Sequence, residues 1–134
     1  MSLENPVTIL LVDDAASLRM VIKMGLQGEG FTVLEAASGT AGLELVTNHK
    51  GVIDLIIADY NMPGITGLEM VTAIRELKDN ANANCKVIFL TSDNTPTLRE
   101  ASQALKTLGI ILKPVKAPAL VELVKKVIAK KQAN

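Results

Sequence analysis

The chain predicts an α/β domain built on a parallel sheet with helices on both faces. Short, continuous apolar runs rich in β-branched residues recur along it, as expected of strands buried on both sides. Helical patterns fall between those runs, and strict alternation of strand and helix implies parallel pairing. At 134 residues the chain fits one domain and can bury a core without disulfides or metal staples.

The first strand is Thr8 to Val12, TILLV. Leu18, Val21, Ile22 and Leu26 behind it are spaced for one apolar helix face. A second, more mixed strand is Phe31 to Ala36, FTVLEA, and Ser38 is a candidate cap for a helix through about Thr47, although Gly39 and Gly42 weaken it. The third strand is read as Val52 to Ala58, VIDLIIA. Thr66-Gly-Leu-Glu69 is a capping box ahead of Leu68, Val71 and Ile74, which share a face. Lys86 to Leu90, KVIFL, is the fourth strand. The segment from Thr95 to about Thr107 is the faintest helix: only Leu98, Ala101, Ala104 and Leu105 offer an apolar face, so it is expected among the less stable parts. Gly109 to Leu112, GIIL, is the fifth strand. Pro118 suits the first turn of the last helix, whose face is Leu120, Leu123, Val124, Val127 and Ile128.

Strand and helix therefore alternate through five repeats of the pair. Right-handed crossovers leave few topologies, and the favoured one is the doubly wound, flavodoxin-like order 2-1-3-4-5. The reading is of a single domain over residues 1–134, its core about 7–131, without a further output domain.

Only Phe31, Phe89 and Tyr60 are aromatic, so the core is aliphatic. Lys plus Arg and Asp plus Glu each number 14, a formal net charge of zero, which does not suggest direct nucleic-acid binding. The one basic run, Lys125, Lys126, Lys130 and Lys131, suits the negative end of a terminal helix dipole. A single cysteine, Cys85, forbids an internal disulfide and fits a reducing compartment. No run of ~18 apolar residues and no signal-peptide pattern is present, so no membrane contact and a cytoplasmic location are the expectation.

The chemistry is sought outside the carboxyl ends of the strands, where open parallel sheets bind ligands. Strand one ends at Asp13-Asp14, strand three at Asp59, followed by Tyr60-Asn61, strand four at Thr91-Ser92 and strand five at Lys113-Pro114. In the order 2-1-3-4-5 these positions converge. Three carboxylates in one pocket repel one another, and a divalent cation removes that penalty. A donor set of hard oxygens without His or Cys favours Mg²⁺ or Mn²⁺ over Zn²⁺. Thr91 can donate a hydroxyl hydrogen bond to a phosphoryl oxygen, and Lys113 supplies a point charge. Taken singly, an Asp pair reads as a cap or solvated turn, and Lys-Pro as a turn signal. Their joint occurrence at successive strand ends is what points to phosphoryl chemistry.

With these residues in hand, the sequence resembles the receiver domain of two-component response regulators from Thr8 to about Lys130. The resemblance rests on Val12-Asp13-Asp14, on Asp59-Tyr-Asn-Met-Pro-Gly64 with Gly67, on Thr91-Ser92 and on Lys113-Pro114. It implies a stand-alone, chemotaxis-type switch. Asp59 would accept a phosphoryl group from a phosphohistidine of a sensor histidine kinase or phosphotransfer protein. Asp14, Asp59 and the backbone carbonyl of Asn61 would ligate Mg²⁺ directly, and Asp13 mainly through a water. Thr91 and Lys113 would bind phosphoryl oxygens, and Lys113-Pro114 would be cis. Pro63, Gly64 and Gly67 would shape the adjoining loop. Asn61 and Asp93, each two residues past a site residue, would tune the lifetime of the phosphoryl group. Activity would be limited to self-directed phosphotransfer and autodephosphorylation. Output would pass through the fourth helix, fifth strand and fifth helix to a downstream protein that the sequence does not name.

Three positions depart from that pattern. Many receivers carry Tyr or Phe three residues before the lysine, where this chain has Ile110, and many carry Phe after Lys-Pro, where it has Val115. Lys106 stands where a Gly is common. Phosphorylation is expected to shift Thr91 and the helix after it, with a smaller repacking of Ile110. His49 lies in a polar turn and Cys85 has no activating base beside it, so neither is assigned chemistry. Asp54 is expected near the amino end of its strand, away from the pocket. A haloacid-dehalogenase phosphatase would need an Asp-x-Asp nucleophile motif and a longer chain. A flavin carrier would need a Gly, Ser or Thr phosphate cradle in the first loop and aromatic residues to stack the ring. A receiver-like scaffold that is never phosphorylated is opposed by the complete acidic set.

Overall fold

A computed structural model describes residues 6–92 and 95–132, with side chains through residue 129. Its elements alternate as β1 (Thr8–Val12), α1 (Ala16–Gly28), β2 (Thr32–Ala36), α2 (Gly39–Asn48), β3 (Leu55–Asp59), α3 (Gly67–Arg75), β4 (Lys86–Thr91), α4 (Pro96–Ala104), β5 (Gly109–Leu112) and α5 (Ala117–Gln132). The sheet is parallel throughout, in the order β2-β1-β3-β4-β5. This is the doubly wound flavodoxin-like topology that the alternation predicts.

Strand periodicity splits the core in two. Ile9 and Leu11 of β1, Leu55 and Ile57 of β3, and Ile88 and Leu90 of β4 face α1 and α5. Their neighbours Leu10, Val12, Ile56, Ala58, Val87 and Phe89 face the other layer, with Val46 of α2 and Met70, Val71 and Ile74 of α3. Successive side chains point to opposite faces of a strand, so a run that is apolar at every position is one that is covered twice. Tyr60 and Phe89 meet edge to face, ring centroids 6.3 Å apart.

Local signals place the helices. Ser38 caps α2 by accepting from the Ala41 amide, Thr95 caps α4 by accepting from the Leu98 amide, and Thr66 with Glu69 closes the full capping box of α3. His49 is the C-cap of α2, consistent with a turn residue. On α1 the packed stripe is Leu18, Ile22 and Leu26, whereas Val21, expected on that face, is 54% exposed. At 100° per residue it lies about 100° from Ile22, the middle of the stripe. On α5, Leu120, Val121, Val124 and Ile128 are buried, and Leu123 is exposed.

α4 differs most from expectation. Leu98 is buried, Ala101 and Leu105 are half-buried, and Ala104 faces solvent. The second buried side chain of α4 is Ser102, whose hydroxyl bonds that of Thr107. The helix ends in a left-handed residue, Lys106 at φ 59, with the Lys106 amide donating to Gln103 and the Thr107 amide to Ser102. That backbone conformation favours Gly, which accounts for Lys106 looking out of place in the sequence.

The third strand starts at Leu55 rather than Val52. Val52 is exposed, and the Ile53 amide donates to the side chain of Asn82 at 2.8 Å instead of to a strand. Asp54 closes the amino end of the sheet: its carboxylate accepts from the Thr8 amide, and its own amide donates to the Thr8 carbonyl. It is thus at the end of the strand opposite Asp59, as expected.

Candidate functional site

The carboxyl ends of β1, β3, β4 and β5 lie side by side, and ladder bonds continue past them to fix the residues that follow. The Asp13 amide donates to Ala36 at 3.1 Å, the Tyr60 amide to Leu90 at 2.8 Å and the Lys113 amide to Thr91 at 2.8 Å. Asp13, Thr91 and Asp59 are buried, at 0%, 0% and 4% exposure, while Asp14 and Asn61 face solvent. Asp13, Asp14 and Asp59 each present a carboxylate oxygen within 4.8 Å of the others. Lys113 Nζ lies 3.1 Å from Asp59 Oδ1, and the Asn61 amide donates to the same oxygen at 3.3 Å.

Burial pushes the Asp59 carboxyl above the usual range. The hydrogen bond from Lys113 works against that, and the negative charge of Asp13 adds to it. Desolvation thus outweighs the lysine, and the carboxylate sits in an environment short of positive charge.

The residues fit a divalent cation by observations other than proximity. Asp13 Oδ1 accepts from the Ala15 amide at 2.8 Å, but its Oδ2 is buried and has no hydrogen-bond partner among the described residues. An orphaned carboxylate oxygen is costly unless something positive meets it. The candidate ligands Asp13, Asp14 and Asp59 offer only carboxylate oxygen, the chemistry of hard cations.

The loop after β3 is shaped by two glycines for different reasons. Gly64 has φ 83, a conformation that other residues resist. Gly67 has an ordinary φ but sits where a Cβ would meet the Asp59 carbonyl oxygen at 2.5 Å, and its amide donates to the Tyr60 carbonyl at 2.8 Å. Gly64 is thus required for its backbone angle, and Gly67 for space. The Lys113-Pro114 bond is cis, as expected. Asp93 lies outside the described residues, as do the side chains of Lys130 and Lys131. Lys125 is held by Glu29 and Glu122, at 3.4 and 3.2 Å, so it ties α5 to the end of α1.

Three residues bordering the site escape the sequence reading. Arg19 donates from Nη1 to the Asp13 carbonyl at 2.6 Å and from Nε to Glu35 at 3.0 Å, and Lys23 holds the other Glu35 oxygen at 2.7 Å. These bonds hold Glu35 below the ordinary carboxyl range, Lys23 foremost. On sequence Arg19 and Lys23 look like the solvated face of an amphipathic helix; the available signal is their spacing of four, opposite the charged Glu35 on a neighbouring strand.

Ile110 is half-buried against the α2–α3 layer of the core and Val115 against the α1–α5 layer. Among the described residues, no helix is long and apolar enough to cross a membrane.

Comparison with known proteins agrees with this geometry. The model of the response regulator receiver domain matches residues 9–125. The chain is 36% identical over 121 residues to the chemotaxis protein CheY of Pseudomonas aeruginosa, covering 89% of this chain and 94% of that one. It is 32% identical to the sensor kinase CckA of Brucella abortus, covering 96% of this chain and 13% of the kinase. Among solved structures, a CheY-like receiver domain from Methanospirillum hungatei superposes with a TM-score of 0.84 at 25% identity, covering 96% of this chain and 98% of that one. CheY4 of Vibrio cholerae superposes at 0.76 and 30% identity, covering 92% and 99%. The chain belongs to the response regulator receiver domains, the CheY-like signalling switches of two-component systems.

Proposed function

We propose that Asp59 accepts a phosphoryl group from the phosphohistidine of a sensor histidine kinase or phosphotransfer protein. The observation that carries this reading is the convergence of three carboxylates within 4.8 Å of one another with Lys113 3.1 Å from Asp59. In the transfer, a carboxylate oxygen of Asp59 bonds to phosphorus, the phosphorus–nitrogen bond breaks, and the imidazole leaves with that electron pair. Asp13, Asp14, Asp59 and the backbone carbonyl of Asn61 would hold Mg²⁺, with Mn²⁺ as an alternative. When bound, the ion supplies charge neutralisation at the phosphoryl oxygens. Lys113 offers its ammonium to a phosphoryl oxygen, giving up part of its pairing with Asp59. Thr91, buried at the end of β4, offers its hydroxyl to another. Asn61, exposed two residues past Asp59, would influence how readily water removes the group; the matching expectation for Asp93 falls outside the described residues.

Output would then pass through α4, β5 and α5 to a protein partner. Supporting this, β5 is an edge strand, Leu108, Leu112 and Leu123 are exposed along it, and clefts of about 350 and 150 Å³ flank it. Exposed apolar residues grouped in this way mark interaction sites.

The test is incubation with Mg²⁺ and acetyl phosphate, followed by intact mass. One phosphoryl adduct is expected, dependent on Mg²⁺ and absent in Asp59→Asn. No adduct, or one that survives that substitution, overturns the reading.

A further inference from the structure

Asp13 is held at nearly every polar group it has. Its amide donates to Ala36, its Oδ1 accepts from the Ala15 amide, and its carbonyl accepts from Arg19 at 2.6 Å. Oδ2 is left, buried and without a partner among the described residues. The Asp13 carbonyl belongs to the peptide unit that joins Asp13 to Asp14. That unit is planar, so fixing its oxygen fixes the plane from which both carboxylates are hung. The bond is charge-assisted, and the guanidinium that makes it is not free to swing. Its Nε is held by Glu35 at 3.0 Å, Glu35 is held in turn by Lys23 at 2.7 Å, and Glu35 stands on β2 opposite Leu11 of β1. A rigid fork thus runs from a neighbouring strand to the peptide between the two acids.

The positive charge of Arg19 would ease the repulsion among the acids, but charge alone would not require its two directed hydrogen bonds. A guanidinium beside a cluster of carboxylates opposes the binding of a second cation, yet Arg19 is invested in two hydrogen bonds that aim it there. We infer that Arg19, anchored by Glu35, is a positioning residue that sets the Asp13-Asp14 peptide so that both carboxylates are preorganised for a divalent cation. This inference rests on the reading above that these acids hold such an ion. Groups that orient metal ligands without touching the metal typically change affinity by about 10–100-fold when removed.

Positioning and electrostatics predict opposite signs for Arg19→Met, which retains the apolar stem and loses the fork. Wild type and variant would be titrated with MnCl₂ by calorimetry, and the Mg²⁺ dependence of acetyl phosphate labelling would be measured in parallel. The expected result is Mn²⁺ binding weaker by roughly tenfold and a matching rise in half-saturating Mg²⁺, with the labelling rate at saturating Mg²⁺ restored to that of wild type. Binding that is unchanged or tighter overturns the inference. A labelling rate that stays depressed at saturating Mg²⁺ assigns Arg19 to the fold instead, and also overturns it. Should Arg19→Met fail to fold, Arg19→Lys, which keeps the charge and loses the fork, is judged by the same criteria. If wild type itself takes no Mn²⁺, the cation reading falls and this one with it; if wild type binds and the variant binds equally, only this one falls.

Discussion

Lys113 reaches Asp59 across the end of an intervening strand. The lysine follows β5, the aspartate ends β3, and β4 lies between them, yet Nζ and Oδ1 are 3.1 Å apart. The Lys113 backbone is pinned to that same intervening strand, its amide donating to Thr91 at 2.8 Å. The ammonium is therefore delivered over Thr91 from a fixed base. Lys113→Met is expected to slow acetyl phosphate labelling by about a hundredfold, the usual scale for losing one preorganised charge stabiliser, while the amide spectrum retains the native dispersion.

Asp59 should cost stability when no cation is present. Its folded pKa is raised, mainly by burial, so the folded state prefers the protonated form. The penalty is absent below the unfolded pKa, sets in as pH rises toward the folded pKa, and is complete above it. Asp59→Asn is accordingly expected to melt higher than wild type at neutral pH in chelator, with the difference vanishing in acid. Thermal melts of both proteins across that range, with and without Mg²⁺, check the sign; Mg²⁺ should raise the wild type more than the variant.

Gly67→Ala is expected to destabilise the fold by about 2 kcal/mol, since overpacking against immobile neighbours costs roughly 1–3 kcal/mol. The new methyl would lie 2.5 Å from the Asp59 carbonyl oxygen and 3.1 Å from the Tyr60 Cα, both backbone atoms. Because the displaced peptide adjoins Asp59, labelling should fall together with the urea midpoint.

Asn82→Ala should cost about 2 kcal/mol without disturbing the phosphoryl chemistry. The side chain accepts from the Ile53 amide at 2.8 Å and donates to the Gly51 carbonyl at 2.9 Å, and a buried donor stripped of its acceptor costs about 1–3 kcal/mol. The loop it closes is at the amino end of the sheet, so labelling at low denaturant should match wild type.

Coupling from the site to the α4–β5–α5 face is expected without a strand-five aromatic. A beryllofluoride adduct formed with Mg²⁺ should shift amide resonances from Thr91 through Val115, Ile110 included. A spectrum in which only residues near Asp59 respond would show that the face does not read the site.

The fold was legible because a sheet covered on both sides leaves unbroken apolar runs, and because Ser38, Thr66 and Thr95 mark helix starts with side chains that can do little else there. The acidic cluster was legible because topology carries strand ends to one place. What escaped was the polar work done at a distance in sequence. Asn82 resembles any loop asparagine until the Ile53 amide is found to need it, and for the same reason the apolar run from Val52 suggests a longer third strand than the one that begins at Leu55. Ser102 of α4 gives no sign of burial in sequence, since only its contact with Thr107 accounts for it. Arg19 and Glu35 were likewise indistinguishable from surface charge without the register of β1 on β2.

The origin of the site in four separated segments also makes it a gauge of folding. Residues 13–14, 59, 91 and 113 come together only when β1 lies on β3, β3 on β4 and β4 on β5. No segment shorter than residues 13–113 contains the set. A half-formed or partly unzipped molecule therefore has nothing to offer a phosphodonor, and labelling counts finished molecules, excluding defective copies from the signal without any separate inspection.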